Sequence, residues 1–447
     1  MKIYNTISKT IEEFIPQNDR KVAMYTCGPT VYDIPHIGNL RKYICDDLLL
    51  RILESNGYDV KRVMNITDVD DKTINRSKGK RKQFDQLTRE LEKIFFENLF
   101  ELNVVKPDLI TRATEYINEM VGLIKNLLEK GYAYKSEDGS IYFSIAKFKD
   151  YGKLSGLDKR EIKVGARVNQ DEYEKENPSD FALWKAWDEN DGEVYWETEL
   201  GKGRPGWHIE CSAMSMKELG PTIDIHTGGV DNIFPHHENE IAQSEAETGK
   251  QFVRYWVHNE HLLVDGKKMS KSLGNVYTLE DIKAKGLHPL DFRYFVLGAH
   301  YRSKINFTWL GLKAARNARE KLKRFVLDNV DQTGEICKVY VDKFYSKLNY
   351  DLGSPEALAV IWELVRDDKK DISSKIATLR KIDKEILGLN LFEKEIIPDK
   401  IIRLAEDRKK ARQEKDFNES DVLRNKISEL GYNIEDLQNN LYKVTRK

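Results

Sequence analysis

The order of apolar and polar positions near the start of the chain predicts a strand, a helix and a second strand. Residues 21–26 (Lys-Val-Ala-Met-Tyr-Thr) form a β-favouring run that ends at the turn signal Cys27-Gly28-Pro29. Apolar residues then recur at helical spacing from Ile37 to Ser55, and residues 59–66 (Asp-Val-Lys-Arg-Val-Met-Asn-Ile) form a second β-favouring run. A strand, a helix and a parallel strand are the unit of doubly wound sheets. We therefore predict an α/β fold with a doubly wound parallel sheet.

Later segments extend this sheet. Strand-like runs at 222–226 and at 255–257, the second continuing to 261–264, would supply its other half. In such sheets, ligands bind beyond the carboxyl ends of the strands. This rule places Cys27, the loop up to Asn39, and Thr67 at the binding edge.

Two regions outside the sheet have different patterns. Between about residues 107 and 204, helical spacing at 117–128 precedes a hairpin signal, Asp138-Gly139 between Tyr134 and Tyr142, and this region is predicted to be an insertion. From Leu310 onward the chain is rich in Lys, Arg, Glu and Leu at helical spacing, and we predict an all-α domain from about 320 to 447. A length of 447 residues suggests about three domains.

Composition narrows the class of protein. With 40% hydrophobic and 33% charged residues, and no uninterrupted apolar run of about 18 residues, the chain is expected to be soluble and to have no membrane partner. The N-terminus lacks the apolar core of a signal peptide, which predicts a cytoplasmic location. The four cysteines are widely scattered, which argues against a disulfide framework and leaves any special cysteine as a ligand or a nucleophile. The formal net charge of -1 neither supports nor excludes a nucleic-acid partner.

The stretch from Gly206 to Glu240 carries candidate metal ligands. Pro235 suits the first helical position, so His236 and Glu240 would stand four apart on one helix face. Cys211 adds a thiol, and zinc accepts these three ligand types together. The residues alone leave open a packed cysteine and ordinary histidines. Further histidines nearby are His208, His226 and His237.

Two loops carry candidate phosphate ligands. The sequence Pro35-His36-Ile37-Gly38-Asn39 brings a histidine and a glycine to the start of the first predicted helix, where free N–H groups and partial positive charge favour anions. Residues 265–275 form a glycine-bracketed run of lysines and serines that could clamp phosphates. Taken alone, these loops also fit a capping histidine and a solvated basic loop. The G-x-G-x-x-G and Walker patterns are absent.

Longer blocks of the chain resemble the cysteinyl-tRNA synthetase family, which belongs to the class I aminoacyl-tRNA synthetases. The match extends to about residue 430 and includes an intact Lys-Met-Ser-Lys-Ser loop at 268–272. The matching blocks are residues 25–39, 65–72, 203–211, 235–240, 268–272 and 300–303.

The resemblance implies a domain organisation and a reaction. Residues 1–265 would form a Rossmann-type catalytic domain with an insertion at about 107–204, residues 266–320 the lysine-rich loop and a linking helical region, and residues 321–447 a helical anticodon-binding domain. ATP, accompanied by Mg²⁺, and L-cysteine would form cysteinyl-adenylate with release of pyrophosphate. The cysteinyl group would then pass to tRNA(Cys). The protein is expected to be a monomer.

The resemblance also implies site residues. The ATP-binding and catalytic residues would be His36, Asn39, Lys268 and Lys271, with Lys271 stabilising the departing pyrophosphate. At position 39, asparagine stands where the class more generally has histidine. The metal would be one zinc ion per chain, which also binds the substrate thiolate. Its ligands would be Cys27, Cys211, His236 and Glu240, and the residues lining the cysteine pocket would be Gly28, Thr67, Trp207 and Asp231, with Asp231 as a partner for the substrate ammonium.

Two other functions fit parts of the pattern. A cysteine ligase similar to that of mycothiol synthesis would share the catalytic half, but it would not need the helical tail, whose residues 404–424 are similar to the family's anticodon-domain helices. A catalytically inactive nucleotide- or RNA-binding paralogue would not need intact metal ligands and an intact lysine loop. The tail departs from the family after Asp436, where a glycine-rich turn and a tryptophan are replaced by residues that lead to Tyr442.

Overall fold

A parallel five-stranded sheet lies at the centre of the fold. The computed structural model describes residues 1–157, 180–394, 398–436 and 441–446, so residues 158–179 of the predicted insertion and residues 437–440 of the tail lie outside the described residues. All neighbouring strands of the central sheet are parallel, which confirms the predicted α/β class. In order across the sheet, the strands are β12 (Val253–Asn259), β11 (Ile223–Gly229), β3 (Lys21–Thr26), β4 (Asp59–Ile66) and β5 (Leu109–Arg112).

The predicted strand, helix and strand occupy the predicted residues. Helix α1 (Ile37–Ser55) connects β3 to β4 and is buried along most of its length. His36 caps its start, and Gly57, at φ 81°, follows its end in a conformation that favours glycine. This crossover places the residues that follow β3 and precede α1 at the carboxyl edge of the sheet.

One predicted strand belongs to another sheet. β11 and β12 form the other half of the central sheet, as their patterns predict. The continuation to residues 261–264 was wrong, because the chain turns at Glu260 and His261, whose carbonyl oxygens accept hydrogen bonds from Arg41. The separate three-stranded sheet consists of β13 (Leu262–Val264), β14 (Lys267–Lys268) and β15 (Ile305–Phe307).

The predicted insertion contains a strand of the central sheet as well as a sheet of its own. β5 pairs in parallel with β4, so the first residues of the range 107–204 belong to the central sheet. The hairpin at Asp138-Gly139 is present, with Tyr134 opposite Tyr142. The antiparallel sheet of the insertion consists, in order, of β6 (Ala133–Lys135), β7 (Ile141–Phe143), β8 (Phe181–Ala186), β10 (Gly201–Pro205) and β9 (Trp196–Thr198).

Helices pack around these sheets, and a short hairpin of β1 (Lys2–Asn5) and β2 (Thr10–Glu13) precedes them. None of the helices in the described part of the chain is long and apolar enough to cross a membrane. The helices that follow α1 are α2 (Asp71–Arg76), α3 (Arg81–Glu101), α4 (Ile117–Glu129), α5 (Trp207–Leu219), α6 (Glu238–Thr248), α7 (Leu279–Ala284) and α8 (Pro289–Leu297).

The C-terminal region is helical, as predicted, but it ends in an unpredicted hairpin. Strands β16 (Tyr432–Asp436) and β17 (Tyr442–Arg446) are short and largely polar, so their pattern is weak. Arg408, only 1% exposed, forms an ion pair with Asp436 at 2.6 Å that holds the hairpin against the helices. The helices of this region are α9 (Trp309–Leu327), α10 (Lys338–Leu348), α11 (Ser354–Arg366), α12 (Ile372–Ile382), α13 (Asp399–Gln413) and α14 (Phe417–Glu429).

Apolar packing continues across the expected domain boundary at residue 320. That position lies inside α9, and buried side chains from the central sheet and from the helices as far as Leu391 form one cluster. Helices α13 and α14 and the hairpin instead share a small separate cluster. A segment that begins at Pro398 can therefore be removed without opening the main core. The buried members of the small cluster are Ile401, Ala405, Ile427 and Ile434.

Candidate active site and metal centre

The carboxyl edge of the central sheet brings the four predicted metal ligands together. Cys27 directly follows β3, Cys211 lies in α5, and Glu240 lies in the first turn of α6. His236 lies in a π-helical turn, Ile233–His237, that leads into α6. All four side chains are buried.

The predicted spacing of His236 and Glu240 brings them together. Phe234 has extended backbone angles, and helical angles continue from Pro235 into the regular helix at Glu238, so Pro235 takes the first helical position as predicted. The π-helical turn at the start of this segment places the imidazole beside the carboxylate. His236 Nε2 lies 2.9 Å from Glu240 Oε1.

The distances within this cluster suit a single metal ion. His236 Nε2 lies 3.8 Å from Cys27 Sγ, close to the separation of about 3.6 Å expected for nitrogen and sulfur ligands of tetrahedral zinc. Cys211, His236 and Glu240 each offer a ligand atom within 4.8 Å of the others. Glu240 Oε1 is fully buried, and its partner among the described residues is the imidazole of His236, at 2.9 Å. A buried carboxylate needs a compensating positive charge, which a bound cation would also supply.

Charges within the cluster shift the pKa values of its members. Burial would raise the pKa of Glu240, but His226 and His236 lower it to about 2. Burial would lower the pKa of His236, but Glu240 and Cys27 raise it to about 10. A hydrogen bond from Cys211 holds the pKa of the Cys27 thiol well below its usual range. Glu240 and Cys27 therefore favour the anionic forms that bind metals, and metal binding would displace the proton from His236.

Four further buried histidines surround the ligands. His208 Nδ1 lies 2.9 Å from His236 Nδ1, and His226 Nε2 lies 2.9 Å from Glu240 Oε2, so each contacts the polar atom of His236 or Glu240 that the close contact between these two residues does not use. Contacts of this kind orient metal ligands. The sequence marked three of these histidines as neighbours of the candidate ligands and missed His258, which lies in β12, outside the stretch from Gly206 to Glu240. The four are His208, His226, His237 and His258.

Two residues predicted to line the cysteine pocket lie on adjacent strand ends. The Gly28 N–H donates to Asn65 Oδ1 at 2.7 Å, and a Cβ at this glycine would lie 1.6 Å from the Asn65 carbonyl oxygen, so no side chain fits. Thr67 is buried, and its N–H donates to the Pro29 carbonyl oxygen at 3.1 Å. Asn65 was not identified from the sequence as a site residue, although it lies in one of the matching blocks.

The other two predicted pocket residues lie on the opposite half of the sheet. Trp207 stacks on His236, with ring centroids 4.2 Å apart and planes inclined by 22°. Asp231 is exposed in a short 3₁₀ turn, beside Asn232, whose amide approaches Cys27 Sγ at 3.9 Å. Trp207 therefore forms a wall of the metal cluster, whereas Asp231 lies at its solvent side.

A cavity of about 810 Å³ opens beside Trp207 and His208, between the carboxyl edge of the sheet and the insertion. Its far wall carries an ion-pair network in which Lys185 lies 2.9 Å from Asp71 and Arg204 contacts the same carboxylate. The cavity therefore has polar walls and borders the metal cluster.

The start of α1 has the geometry of an anion site. His36 Nδ1 accepts a hydrogen bond from the Asn39 N–H at 3.2 Å, and Asn39 Oδ1 accepts one from the His36 N–H at 3.2 Å. Because Nδ1 is an acceptor, the proton of the neutral imidazole is assigned to Nε2, which is then a donor. The side-chain amide nitrogen of Asn39, Nδ2, is a donor too. Both side chains thus combine capping of the helix with donors near its positive end.

The lysine-rich loop packs against this helix start. Lys268 is exposed at the end of β14, and the next residue, Met269, lies so close to Gly38 that a Cβ there would be 2.3 Å from the methionine methyl group. The Ile37 N–H donates to the Tyr277 carbonyl oxygen at 2.8 Å at the other end of the loop. Lys271 begins a 3₁₀ turn in the loop. The structure therefore brings the two predicted phosphate-binding segments together.

The chain is similar to known proteins along nearly its whole length. Residues 13–317 match the family model of the class I (C) tRNA synthetase catalytic domain. Cysteine–tRNA ligases of Chlamydia muridarum and Brachyspira hyodysenteriae are each 45% identical over 97% of both chains. That of Chlamydia abortus is 47% identical over 97% of this chain and 95% of its own.

Solved structures share the fold at low sequence identity. Mycobacterium tuberculosis methionyl-tRNA synthetase in complex with methionyl-adenylate has a TM-score of 0.57 at 15% identity, over 83% of this chain and 90% of its own. Agrobacterium radiobacter K84 agnB2 LeuRS, in a ternary complex with tRNA and LeuAMS, has a TM-score of 0.60 at 11% identity, over 85% of this chain and 84% of its own. The family match and the identity across nearly the whole chain show that this chain belongs to the cysteine–tRNA ligases, a family of class I aminoacyl-tRNA synthetases.

Proposed function

We propose that this chain joins ATP and L-cysteine into cysteinyl-adenylate, releases pyrophosphate, and passes the cysteinyl group to the 3′-terminal ribose of tRNA(Cys). The observation that carries the proposal is the buried cluster of Cys27, Cys211, His236 and Glu240 at the sheet edge that also presents the start of α1. A sulfur-binding site beside a phosphate-binding site suits attack of the cysteine carboxylate on the α-phosphate of ATP.

Zinc is the metal that best suits two thiols, an imidazole and a carboxylate, with one ion per chain. When bound, zinc accepts a thiolate far better than a neutral hydroxyl and lowers the thiol pKa. Serine is nearly as large as cysteine, so pocket shape supplies only about 1 to 3 kcal/mol of discrimination. Translation requires discrimination between cysteine and serine of about 10⁴-fold, which corresponds to roughly 5.5 kcal/mol. The ligand set can supply the difference, so no editing step is expected.

The pocket residues would orient the amino acid. Gly28 lets its backbone lie directly against Asn65, where no side chain would fit, and Thr67 follows the neighbouring strand end. Trp207, stacked on His236, would keep water away from the substrate sulfur. Asp231, at the solvent side, would pair with the substrate ammonium. With the amino acid held in this way, the carboxylate of the substrate cysteine would be directed toward ATP.

For ATP bound with Mg²⁺, the helix start and the lysine loop would share the triphosphate. His36 Nε2 and Asn39 Nδ2 would donate to phosphate oxygens from the start of α1, whose positive end favours anions. Lys268 and Lys271 would close over the triphosphate, and Lys271 would stabilise the departing pyrophosphate. In-line attack by a carboxylate needs positioned positive charge and little acid–base help.

The C-terminal residues support tRNA as the acceptor. Relatives named cysteine–tRNA ligase match 97% of this chain, so the match extends into the helical tail that a ligase acting on an amino sugar would not need. Within residues 321–447, we assign anticodon binding to the part formed by α13, α14 and the hairpin, and residues 266–320 to the lysine loop and linking region. The cavity beside Trp207 would admit the 3′ end. We expect a cytoplasmic monomer.

Pyrophosphate exchange with cysteine and with serine, combined with metal analysis of the same sample, tests the proposal. We expect one zinc ion per chain and exchange with cysteine that exceeds exchange with serine by about 10⁴-fold in kcat/KM, because the thiolate contacts the metal. Equal exchange with both amino acids would remove the sulfur-selecting role. Full activity of a zinc-free protein would contradict the proposed role of the metal.

The Lys271→Ala variant should lower kcat for pyrophosphate exchange by about 10²-fold while changing KM for cysteine little. Its charge is proposed to act on the transition state, where loss of one such contact costs about 10²- to 10³-fold. Steady-state exchange at varied cysteine measures both constants. Lys267→Ala, which removes an exposed charge from the same loop, is the control and should retain most of kcat. Equal losses in the two variants would contradict the role of Lys271.

A further inference from the structure

Arg41 is a buried cation with an unusual set of partners. It lies in α1 five residues after His36, and it is 1% exposed. A buried charge is ordinarily paired with an opposite one. Within the described residues, however, no carboxylate forms an ion pair with Arg41, and its two terminal nitrogens donate to backbone carbonyls at 2.6 to 3.4 Å. The acceptors are the carbonyl oxygens of Glu260, His261, His300, Tyr301 and Ser303.

These carbonyls belong to the two segments that lead into the sheet of the lysine loop. Glu260 and His261 precede β13, which continues through a tight turn into β14 and Lys268. Residues 300–303 precede β15, and β15 pairs with β13 from Leu262 opposite Ile305. One guanidinium therefore attaches both strands to α1.

The other end of the lysine loop is attached to the same helix. The Ile37 N–H bonds to the Tyr277 carbonyl oxygen, and Met269 packs against Gly38. The start of α1 and the lysine loop are thus connected on both sides of the proposed ATP site. The position of His36 relative to Lys268 depends on these connections.

We propose that Arg41 is a positioning residue, which fixes the base of the lysine loop relative to the phosphate-binding start of α1 and thereby sets the rate of adenylate formation. The inference rests on the proposed function. A displacement of about 1 Å at reacting groups can cost about 10²-fold in rate. Lysine cannot replace this arginine, because an ammonium lacks the planar fork that reaches two segments at once.

The test separates the activation step from the transfer step in the Arg41→Lys variant. We expect kcat for cysteine-dependent pyrophosphate exchange to fall by about 10²-fold, since the loop acts there. KM for cysteine and the zinc content should stay unchanged, because the metal cluster lies outside these contacts. Transfer of cysteine from chemically synthesised cysteinyl-adenylate to tRNA(Cys), measured in a single turnover, should keep at least about half of its rate.

Arg62→Lys is the matched control. Arg62 is also 1% exposed and donates to a backbone carbonyl, that of Val105, but it lies on β4 and does not contact the loop segments. This variant should keep its exchange rate even where its Tm falls. Equal values of kcat in the two variants would overturn the proposal. The proposal would also be overturned if Arg41→Lys lost pyrophosphate exchange, transfer to tRNA(Cys) and bound zinc to the same extent.

A second variant keeps the proposal testable if Arg41→Lys does not fold. Asp351 holds the segment 300–303 from the other side, accepting from the Tyr301 hydroxyl at 2.7 Å and from Arg302 Nε at 2.8 Å. Asp351→Asn should lower the exchange kcat by about tenfold and spare transfer, and an unchanged kcat would overturn the proposal. Absence of cysteine-dependent exchange in the unmodified protein would instead overturn the proposed function.

Discussion

The Cys211→Ser variant is expected to lose zinc and to form cysteinyl-adenylate about 10²- to 10³-fold more slowly, while its reaction with serine changes little. Of the roughly 5.5 kcal/mol needed to reject serine, pocket shape supplies about 1 to 3, which leaves about 2.5 to 4.5 kcal/mol for the metal contact. Cys211 is completely buried in the cluster, so serine at this position leaves a weak ligand that water cannot replace. Zinc per chain and cysteine-dependent pyrophosphate exchange measure the two effects.

Cys337→Ser makes the same chemical change away from the cluster. Cys337 is the N-cap of α10 and has no capping hydrogen bond from its side chain, and serine is favoured at that position. Its zinc content and exchange rate should equal those of the unmodified chain. Full exchange by a zinc-free Cys211→Ser protein would show that the cluster does not bind the substrate.

Removal of residues 398–447 should abolish most tRNA charging and leave adenylate formation nearly intact. The deleted segment has its own small apolar cluster, so the main core and the metal cluster remain closed. Contacts to single-stranded bases contribute about 1 to 3 kcal/mol each, and loss of two would reduce charging by about 30-fold to about 10⁴-fold. Aminoacylation of tRNA(Cys) and pyrophosphate exchange, measured on one preparation, give the two rates.

A minihelix made of the acceptor arm of tRNA(Cys) is the control substrate for this deletion. It has no anticodon, so the full chain and the shortened chain should charge it at the same slow rate. Undiminished charging of complete tRNA(Cys) by the shortened chain would show that the C-terminal segment does not bind the anticodon.

The central fold was accessible from the sequence where local patterns are strong. Residues 21–26, 37–55 and 59–66 have clear periodicity and clear stop signals, and their predicted bounds match the structure. The hairpin at Asp138-Gly139 was found for the same reason. The metal cluster could not be assembled from periodicity, because Cys27 approaches His236 only after β3 has paired with β11. Cys27 was predicted as a ligand from the family resemblance and not from local spacing.

The errors and omissions have a common cause, which is that a residue's partners can lie far away in the sequence. The strand predicted to continue to residue 264 ends at Asn259, because the following carbonyls bond to a guanidinium from α1. His258 and Arg41 carry no local signal, since their environment is set by distant segments. The hairpin after α14 was missed because its strands are short and polar, and it depends on an ion pair between Arg408 and Asp436.

The placement of Cys27 and Glu240 on opposite halves of the sheet has a consequence for protein abundance. A metal ion bound by both would bind the folded chain and not the unfolded chain, in which these distant ligands are not held together. Metal loading would then stabilise the native sheet in addition to selecting the substrate. A shortage of zinc would expose more of the chain to proteolysis, so the cell would lose enzyme molecules as well as specificity.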